Sequence, residues 1–288
     1  MERDRQYPSI GQAILLLGGL LFFQLAVGVI EGVALAAVAM ATGYEISPSE
    51  PFLVTLTLLA AYVPIVFWGV WRTGLPFRRL FPFTRFPVGL LLPLLPAIVG
   101  YGILCSEADN LLLSLVPMPK FIYELFRSLH TGGVAGLAVI ALAAPFAEEM
   151  VFRGLILGGF LERYRVWKAL LVSAALFAVV HVNPYQFFTA FGLGLLMAWL
   201  FWRTGSLWLC AIVHGLHNSQ GWVAENVLRL DVPGYASRAE TAAGTAVTQF
   251  QPLWFDLLGV AMLVGGLVVL GLVARRWAPT CRRSARLG

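Results

Sequence analysis

Charged residues are scarce in this chain. Only 12% of its 288 residues are Asp, Glu, Lys or Arg, and 59% are hydrophobic. Soluble domains carry about 25% charged residues, so this chain has half the charge that a water-facing surface normally needs. So much apolar sequence also excludes a disordered chain. We therefore predict an all-α fold, a polytopic transmembrane helical bundle.

Cysteine pairs and two familiar hydrolase motifs are also lacking. The three cysteines, Cys105, Cys210 and Cys281, form no CxxC motif and no paired framework, which excludes a disulfide scaffold. There is no HExxH zinc motif, and the polar segment GLHNSQG lacks the pattern of a serine nucleophile elbow. Any hydrolytic chemistry must therefore come from another set of side chains.

Apolar runs long enough to cross a membrane follow one another along the chain. A helix needs about 20 apolar residues to cross a hydrocarbon core of about 30 Å. The sequence offers eight such segments: 10–41, 52–71, 87–117, 133–161, 166–182, 185–203, 206–224 and 253–274. The first is too long for a signal-peptide core, so we expect it to be retained. Pro93 and Pro96 interrupt the third, which we expect to be broken or partly re-entrant.

The distribution of basic residues supports eight spans. With eight, fifteen Lys and Arg residues lie on one side of the membrane and four on the other, while Arg153 lies inside a span. Because Lys and Arg gather on cytoplasmic loops, both termini are predicted to be cytoplasmic in a multi-pass protein, and we expect a prokaryotic plasma membrane. The net charge of +5 is explained by these loops. We therefore expect membrane lipid as a partner and no nucleic acid.

Ionisable side chains inside apolar runs concentrate between residues 148 and 218. Such side chains cost about 2.5–3.5 kcal/mol at the centre of a span, and they are usually functional or paired. Glu149 and Arg153 are four residues apart on one helix face, and we interpret them first as a structural ion pair. Glu148 is rotated by about 100° and has no arginine at that spacing. We interpret Glu148 as a candidate general base.

His181, His214 and Asn218 complete the unusual set. Phe177 lies one turn before His181, and His214 shares a helix face with Asn218. Taken singly, His181 is equally well explained as a hydrogen-bonded residue near the interface, and the other two as polar contacts between helices. Counting 1.5 Å per residue, however, places Glu148, His214 and Asn218 in the middle third of the bilayer, with His181 slightly outward. One shared cavity explains the similar depth of these four residues better than four independent coincidences do.

A carboxylate, two imidazoles and an amide suit peptide hydrolysis in a hydrated cavity. A glutamate with a neutral histidine can hold and deprotonate a water, and a histidine with an asparagine can donate hydrogen bonds to the oxyanion. No serine or cysteine nucleophile is needed. Zinc is the rival, because two histidines and one or two glutamates would suit it, although they would come from three separate helices. We expect no cofactor, with zinc left open.

Three motifs, in order along the chain, resemble those of a known family. EEMVFR (148–153) fits EExxxR, FAVVH (177–181) fits FxxxH, and HGLHN (214–218) fits HxxxN. Together they look like the CPBP intramembrane proteases, the group of CAAX prenyl protease 2 and the bacteriocin-processing proteins. The resemblance makes residues 133–224 a CPBP-like catalytic core. Residues 1–132 are then N-terminal transmembrane helices with a basic cytoplasmic loop, and 225–288 an outer loop, the last transmembrane helix and a basic tail.

The resemblance implies a membrane-embedded endopeptidase of the glutamate type. By carry-over, Glu148 is the general base and His181 helps to hold the water. His214 and Asn218 form the oxyanion site. The supporting residues that the motifs imply are Glu149, Arg153 and Phe177.

The expected substrate is a membrane-associated peptide or lipidated protein, with a prenylated CAAX-type protein as one example. The sequence does not predict the oligomeric state. Three other functions stay open: a non-catalytic membrane scaffold or immunity protein, a zinc-dependent membrane protease, and a small transporter. In a transporter, the proton carriers would be Glu31, Glu107 or Asp256.

Overall fold

The chain folds into a bundle of helices. The structure is a computed structural model that describes residues 6–44, 47, 50–116, 118–119, 122, 128–129, 133–235 and 249–274. The helices, in chain order, are α1 (Ile10–Thr42), α2 (Pro51–Thr73), α3 (Phe77–Leu80), α4 (Leu91–Leu115), α5 (Gly133–Arg163), α6 (Val166–Val179), α7 (Pro184–Thr204), α8 (Leu207–Asn218), α9 (Gln220–Asn226) and α10 (Leu253–Ala274). The predicted basic tail and Cys281 lie outside the described residues.

Every segment predicted to span the membrane is helical, which confirms the all-α class. Among the described residues, six helices are long and apolar enough to cross a membrane, namely α1, α2, α4, α5, α7 and α10. The helices α6 and α8 are shorter, with 14 and 12 residues. These helices make the chain an integral membrane protein, and the two short ones lie where the polar motifs are.

The helix α4 contradicts the expectation of a broken third span. It is continuous from Leu91 to Leu115 and contains both prolines. Pro93 lies in the first turn, where backbone N–H groups have no partner within the helix, so its missing donor costs nothing. Pro96 removes one backbone hydrogen bond, a loss that membrane helices tolerate when neighbouring helices cover the site.

The loops from α2 to α4 and from α7 to α8 meet at one end of the bundle. We call it the basic end, because it holds Arg78, Arg79, Arg85 and Arg203. Ser206 Oγ donates to the Thr84 carbonyl at 2.7 Å and also caps α8. Gly74 and Gly205, which end α2 and α7, both adopt the left-handed conformation that glycine favours. The helix ends and the hydrogen bond from Ser206 hold the α2–α4 loop against the α7–α8 loop.

The helix α5 lies at the centre of the bundle, between α2, α6, α7 and α8. Its residues from 151 to 157 are all buried. Two stretches, Val139–Ala143 and Met150–Leu157, widen into π-helical turns, while Ala144–Glu149 between them is ordinary α-helix. Such turns are rare, and they occur often at functional sites. Glu148 and Glu149 are the last two residues of that central stretch.

Glycines let α10 lie directly against α4. A Cβ added at Gly266 would lie 2.6 Å from the Pro93 carbonyl oxygen and 2.7 Å from the Ala97 nitrogen. Its neighbour Gly265 has nothing within 4 Å, because it faces away from the bundle. Small residues at the contact are typical of membrane helix pairs, since close packing is what holds them together.

We predict that Gly266→Val separates α4 from α10 and destabilises the protein by about 1–3 kcal/mol. The midpoint of thermal unfolding in detergent should fall by about 3–10 °C. Gly265→Val is the matched control, because it adds the same side chain on the outward face and should leave the midpoint nearly unchanged. Equal shifts for the two variants would show that the helices do not pack through this glycine.

Candidate active site

A cavity of about 560 Å³ lies between α4, α5, α7 and α8. Its walls include all four predicted catalytic residues: Glu148, His181, His214 and Asn218. A volume of this size is within the range of sites that hold small ligands. Three helices and the turn after α6 therefore bring the three sequence motifs to one place. The catalytic roles of these residues stay predictions.

Glu149 is a buried carboxylate that accepts from two donors. Its Oε1 lies 3.0 Å from Arg153 Nη1 and 2.9 Å from His214 Nδ1. Glu149 is 1% exposed and Arg153 is completely buried. A carboxylate paired with arginine accepts hydrogen bonds only, so Nδ1 of His214 must carry a proton. The predicted ion pair thus has a third member, which the spacing of Glu149 and Arg153 did not indicate.

This hydrogen bond turns the other nitrogen of His214 towards Glu148. Nε2 of His214 lies 3.8 Å from Glu148 Oε2, which is too long for a hydrogen bond. A single water beside the line between these atoms could contact both of them. Within the described part of the chain, Glu148 Oε2 is buried and accepts no hydrogen bond. Buried acceptors are normally satisfied, and a catalytic role is one of the reasons for an exception.

Phe177 connects the arginine and both imidazoles. Its ring meets His181 and His214 nearly at right angles, with centroid distances of 5.0 and 5.6 Å. Arg153 Cζ lies 4.4 Å from the ring centroid, at the face that attracts a cation. Arg153 Nη2 also donates to the Gly194 carbonyl at 3.0 Å, and a Cβ at Gly194 would lie 3.1 Å from the Phe177 ring. The phenylalanine of the FxxxH motif is therefore explained by its packing against Arg153 and both imidazoles.

Backbone carbonyls hold His181 and Asn218 in place. His181 Nδ1 lies 2.7 Å from the Phe177 carbonyl, so it donates there and leaves Nε2 as an acceptor. Asn218 Nδ2 donates to the Ile140 carbonyl at 3.1 Å, and Ile140 belongs to the first π-helical turn of α5. One amide hydrogen of Asn218 is thus used for positioning, and its second hydrogen remains to be donated.

Several polar residues of the cavity wall were missed by the sequence analysis. Asp109 on α4 lines the cavity, and so does His217, which packs on Tyr101 and contacts Gln220 Nε2 at 3.1 Å through Nδ1. A signal was present in the sequence, because CSEADN places polar residues at helical spacing on α4. Together with Pro93 and Pro96, these polar residues were interpreted only as a sign of an interrupted span.

A hydrogen-bond network fixes the outer wall of the cavity. Asn110 Nδ2 donates to the Gly234 carbonyl at 2.8 Å, and Glu107 Oε2 accepts from the Gln251 backbone N–H at 2.9 Å. Tyr235, the neighbour of Gly234, lines the cavity. These bonds tie two segments that follow α9 to the end of α4 farthest from the basic end. Glu107 therefore has a structural role here.

The donor groups do not form a zinc site as they are arranged. In the regions that the structure describes, no three His, Cys, Asp or Glu side chains come together as ligands for a metal ion. Zinc in a catalytic site takes three protein ligands, which the described side chains do not bring together.

The polar core of this chain is similar to known membrane peptidases. Residues 130–220 match the family model described as "Type II CAAX prenyl endopeptidase Rce1-like". That stretch contains all three motifs and every predicted site residue. The resemblance to the CAAX prenyl protease group is confirmed by this match.

One curated relative supports the same class. The Bacillus subtilis (strain 168) protein named "Putative membrane peptidase YdiL" is 28% identical over 83 residues, which is 29% of this chain and 34% of that protein. The chain thus spans about a third of the length of the curated relative that it matches. No solved structure matches the chain significantly.

We predict that Arg153→Met lowers the free energy of unfolding by about 3–5 kcal/mol, because it leaves the Glu149 charge buried without its cation. Denaturant unfolding of the purified protein in detergent measures this change. The double variant Glu149→Gln/Arg153→Met should recover most of the loss, since no uncompensated charge remains. A double variant as unstable as Arg153→Met alone would contradict the ion pair.

Proposed function

We propose that this protein is a CPBP-type intramembrane endopeptidase, which hydrolyses a peptide bond of a membrane-associated substrate with a water activated by Glu148. One observation carries the proposal. Glu148 and His214 face each other at 3.8 Å in the wall of a cavity that His181 and Asn218 also line. The match to an endopeptidase family over this stretch supports the same class of reaction.

Hydrolysis begins with the transfer of a proton from water to Glu148. The water oxygen forms a bond to the carbonyl carbon of the substrate as the proton moves to the carboxylate. Nε2 of His181 is the acceptor available to hold the second hydrogen of the water, because Nδ1 is bonded to the Phe177 carbonyl. The product of this step is a tetrahedral intermediate with a negative oxygen.

Donors from α8 stabilise that oxygen. Asn218 contributes the amide hydrogen that is not bonded to Ile140, and His214 contributes Nε2–H when that nitrogen carries a proton. Glu149 orients the imidazole because it accepts from Nδ1 at 2.9 Å. Glu149 and Arg153 thus act by positioning the ring, as the carboxylate does beside the histidine of a catalytic triad.

Collapse of the intermediate returns the site to its first state. The bond between the carbonyl carbon and the leaving nitrogen breaks, and the proton held by Glu148 moves to that nitrogen. The products are an amine and a carboxylic acid, which keeps the second hydrogen of the water and gives it up as a proton when it reaches solvent, and Glu148 is ionised again. One carboxylate acting as base and then as acid balances the reaction without a covalent enzyme intermediate.

The substrate that we propose is a peptide held at the membrane, such as a lipidated protein of the prenylated CAAX type. Two observations support this class of substrate: the cavity lies inside a bundle of apolar helices, and the matched family is named for prenyl endopeptidases. We place the basic end and both termini in the cytoplasm of a prokaryotic cell, following the distribution of Lys and Arg. Membrane lipid is the surrounding partner, and nucleic acid is not one.

The transporter alternative has less support. Glu31 accepts a hydrogen bond from Thr57 at 2.5 Å, which joins α1 to α2, and Glu107 holds the outer wall of the site cavity. Two of the three candidate proton carriers are thus engaged in contacts between segments.

We predict that Glu148→Gln lowers kcat for a fluorogenic farnesylated CAAX peptide in detergent by about 10²–10⁴-fold, because the general base is lost. KM should change little, since the amide keeps the size of the side chain. Glu225→Gln is the control, because this carboxylate lies on α9 and does not line the cavity. Full activity of Glu148→Gln would refute the assignment of the base.

The physiological substrate can be found by comparing membrane proteomes. Cells that express the wild type should contain trimmed peptides that are missing from cells with Glu148→Gln. If no peptide differs between the two, a non-catalytic scaffold or immunity role replaces the protease.

We also predict that an excess of a zinc chelator leaves peptide hydrolysis unchanged, because the water is activated by a carboxylate. Elemental analysis of the active protein, before and after chelation, checks this. Stoichiometric zinc that is lost together with activity would instead establish a metalloprotease.

A further inference from the structure

A second cavity, of about 530 Å³, lies at the basic end of the bundle. It is bounded by the ends of α2, α5 and α7 and by the loop that contains α3. Of the described residues that line it, three are arginines and one is acidic: Arg78, Arg79, Arg85 and Glu162. Its lining thus has an excess of positive charge, which neither the fold nor the proposed hydrolysis requires.

The three arginines have their guanidinium groups available for a ligand. Within the described part of the chain, the side chains of Arg78, Arg79 and Arg85 form no hydrogen bond and no ion pair, and all three residues are exposed. Arginine stays charged at any physiological pH, and its planar fork of donors binds phosphate oxygens in pairs. Three arginines that line one cavity therefore suit a phosphate group better than a neutral ligand.

Gly158 keeps part of the floor of this cavity open. Gly154, Gly158 and Gly159 of α5 all line the cavity. A Cβ at Gly154 or Gly159 would lie within 2.6 Å of Phe81 or Tyr7, whereas a Cβ at Gly158 would approach nothing closer than the Arg153 carbonyl oxygen, at 3.8 Å. At Gly158 a side chain would therefore fill space that a headgroup can enter.

Aromatic residues beside the cavity indicate that the ligand has an apolar part. Trp71 near the end of α2 is 52% exposed, Trp68 is 42% exposed, and Phe67 one turn before Trp71 is 70% exposed. Phe77, next to Arg78, is 48% exposed. Tryptophan is enriched where a membrane meets water, and an acyl chain can follow these rings from the cavity towards the apolar part of α2. A soluble phosphate would use only the polar half of this surface.

We propose that the cavity at the basic end binds the headgroup of an anionic phospholipid, with its phosphate between Arg78, Arg79 and Arg85 and its acyl chains along the exposed aromatic face of α2. Basic pockets on the cytoplasmic side of membrane proteins bind lipid headgroups by this combination of charge and apolar contact. The site is separate from the Glu148 cavity, so it does not depend on the proposed protease activity.

Titration of the purified full chain with dioctanoyl phosphatidylglycerol, followed by native mass spectrometry, tests the proposal. We expect saturable binding of one lipid per chain. Arg78→Gln/Arg85→Gln should weaken it by about 25-fold, at about fivefold for each arginine. Arg165→Gln/Lys168→Gln is the charge-matched control, since these two basic residues come just after α5, which contributes to the cavity, but do not line the cavity themselves. Equal weakening by both double variants would reduce the effect to general surface charge and overturn the proposal.

Gly158→Leu tests the cavity without changing its charge. The new side chain would fill the open space at the floor, so phosphatidylglycerol binding should fall at least tenfold while the unfolding midpoint stays close to that of the wild type. Unchanged binding would show that the lipid does not enter the cavity. Equal binding of dioctanoyl phosphatidylcholine would overturn the selection for an anion, and competition by inorganic phosphate at the lipid's own concentration would overturn the assignment to a lipid.

Discussion

The hydrogen bonds to Glu149 organise the polar interior of this protein. A carboxylate inside a membrane protein must be neutralised, and Glu149 meets that need with Arg153 on its own helix and His214 on α8. The same oxygen accepts from both, so the ion pair that stabilises α5 also sets the orientation of the imidazole. His214 then presents Nε2 to Glu148, whose Oε2 lies 3.8 Å away. The stability of α5 and the proposed chemistry thus depend on one buried contact.

Helix geometry explains why the three motifs have their spacing. A separation of four residues places Glu149 below Arg153, and Phe177 below His181, on one face of each helix. Phe177 then meets both imidazoles with its ring and holds His181 through its carbonyl oxygen. The π-helical turns of α5 add a second requirement, because Asn218 is held by a carbonyl from one of them. The position of Asn218 therefore depends on the irregular turns of α5 as well as on its polar residues.

Much of the fold and of the site could be predicted from the sequence, because polar residues are easily recognised within the apolar segments of a membrane protein. Glu148, His181, His214 and Asn218 were identifiable as exceptions in apolar runs, and their depth predicted a shared cavity. The bond from His214 to Glu149 could not be predicted, since it depends on how α8 rotates against α5. The π-helical turns leave no pattern in composition. The helix α4 continues through both prolines because Pro93 lies in the first turn, where no bond is lost, and because a membrane bundle tolerates the one bond that Pro96 removes.

The protonation state of His214 is the most direct test of this account. Nitrogen-15 solid-state NMR of the protein in lipid bilayers, with the imidazole of His214 assigned by comparison with His214→Gln, reports which ring nitrogen carries hydrogen. Because ionised Glu149 can only accept, Nδ1 should carry a hydrogen in the folded protein. A bare Nδ1, with the proton on Nε2 alone, would mean that Glu149 does not hold the ring, and the arrangement of the site would have to be abandoned.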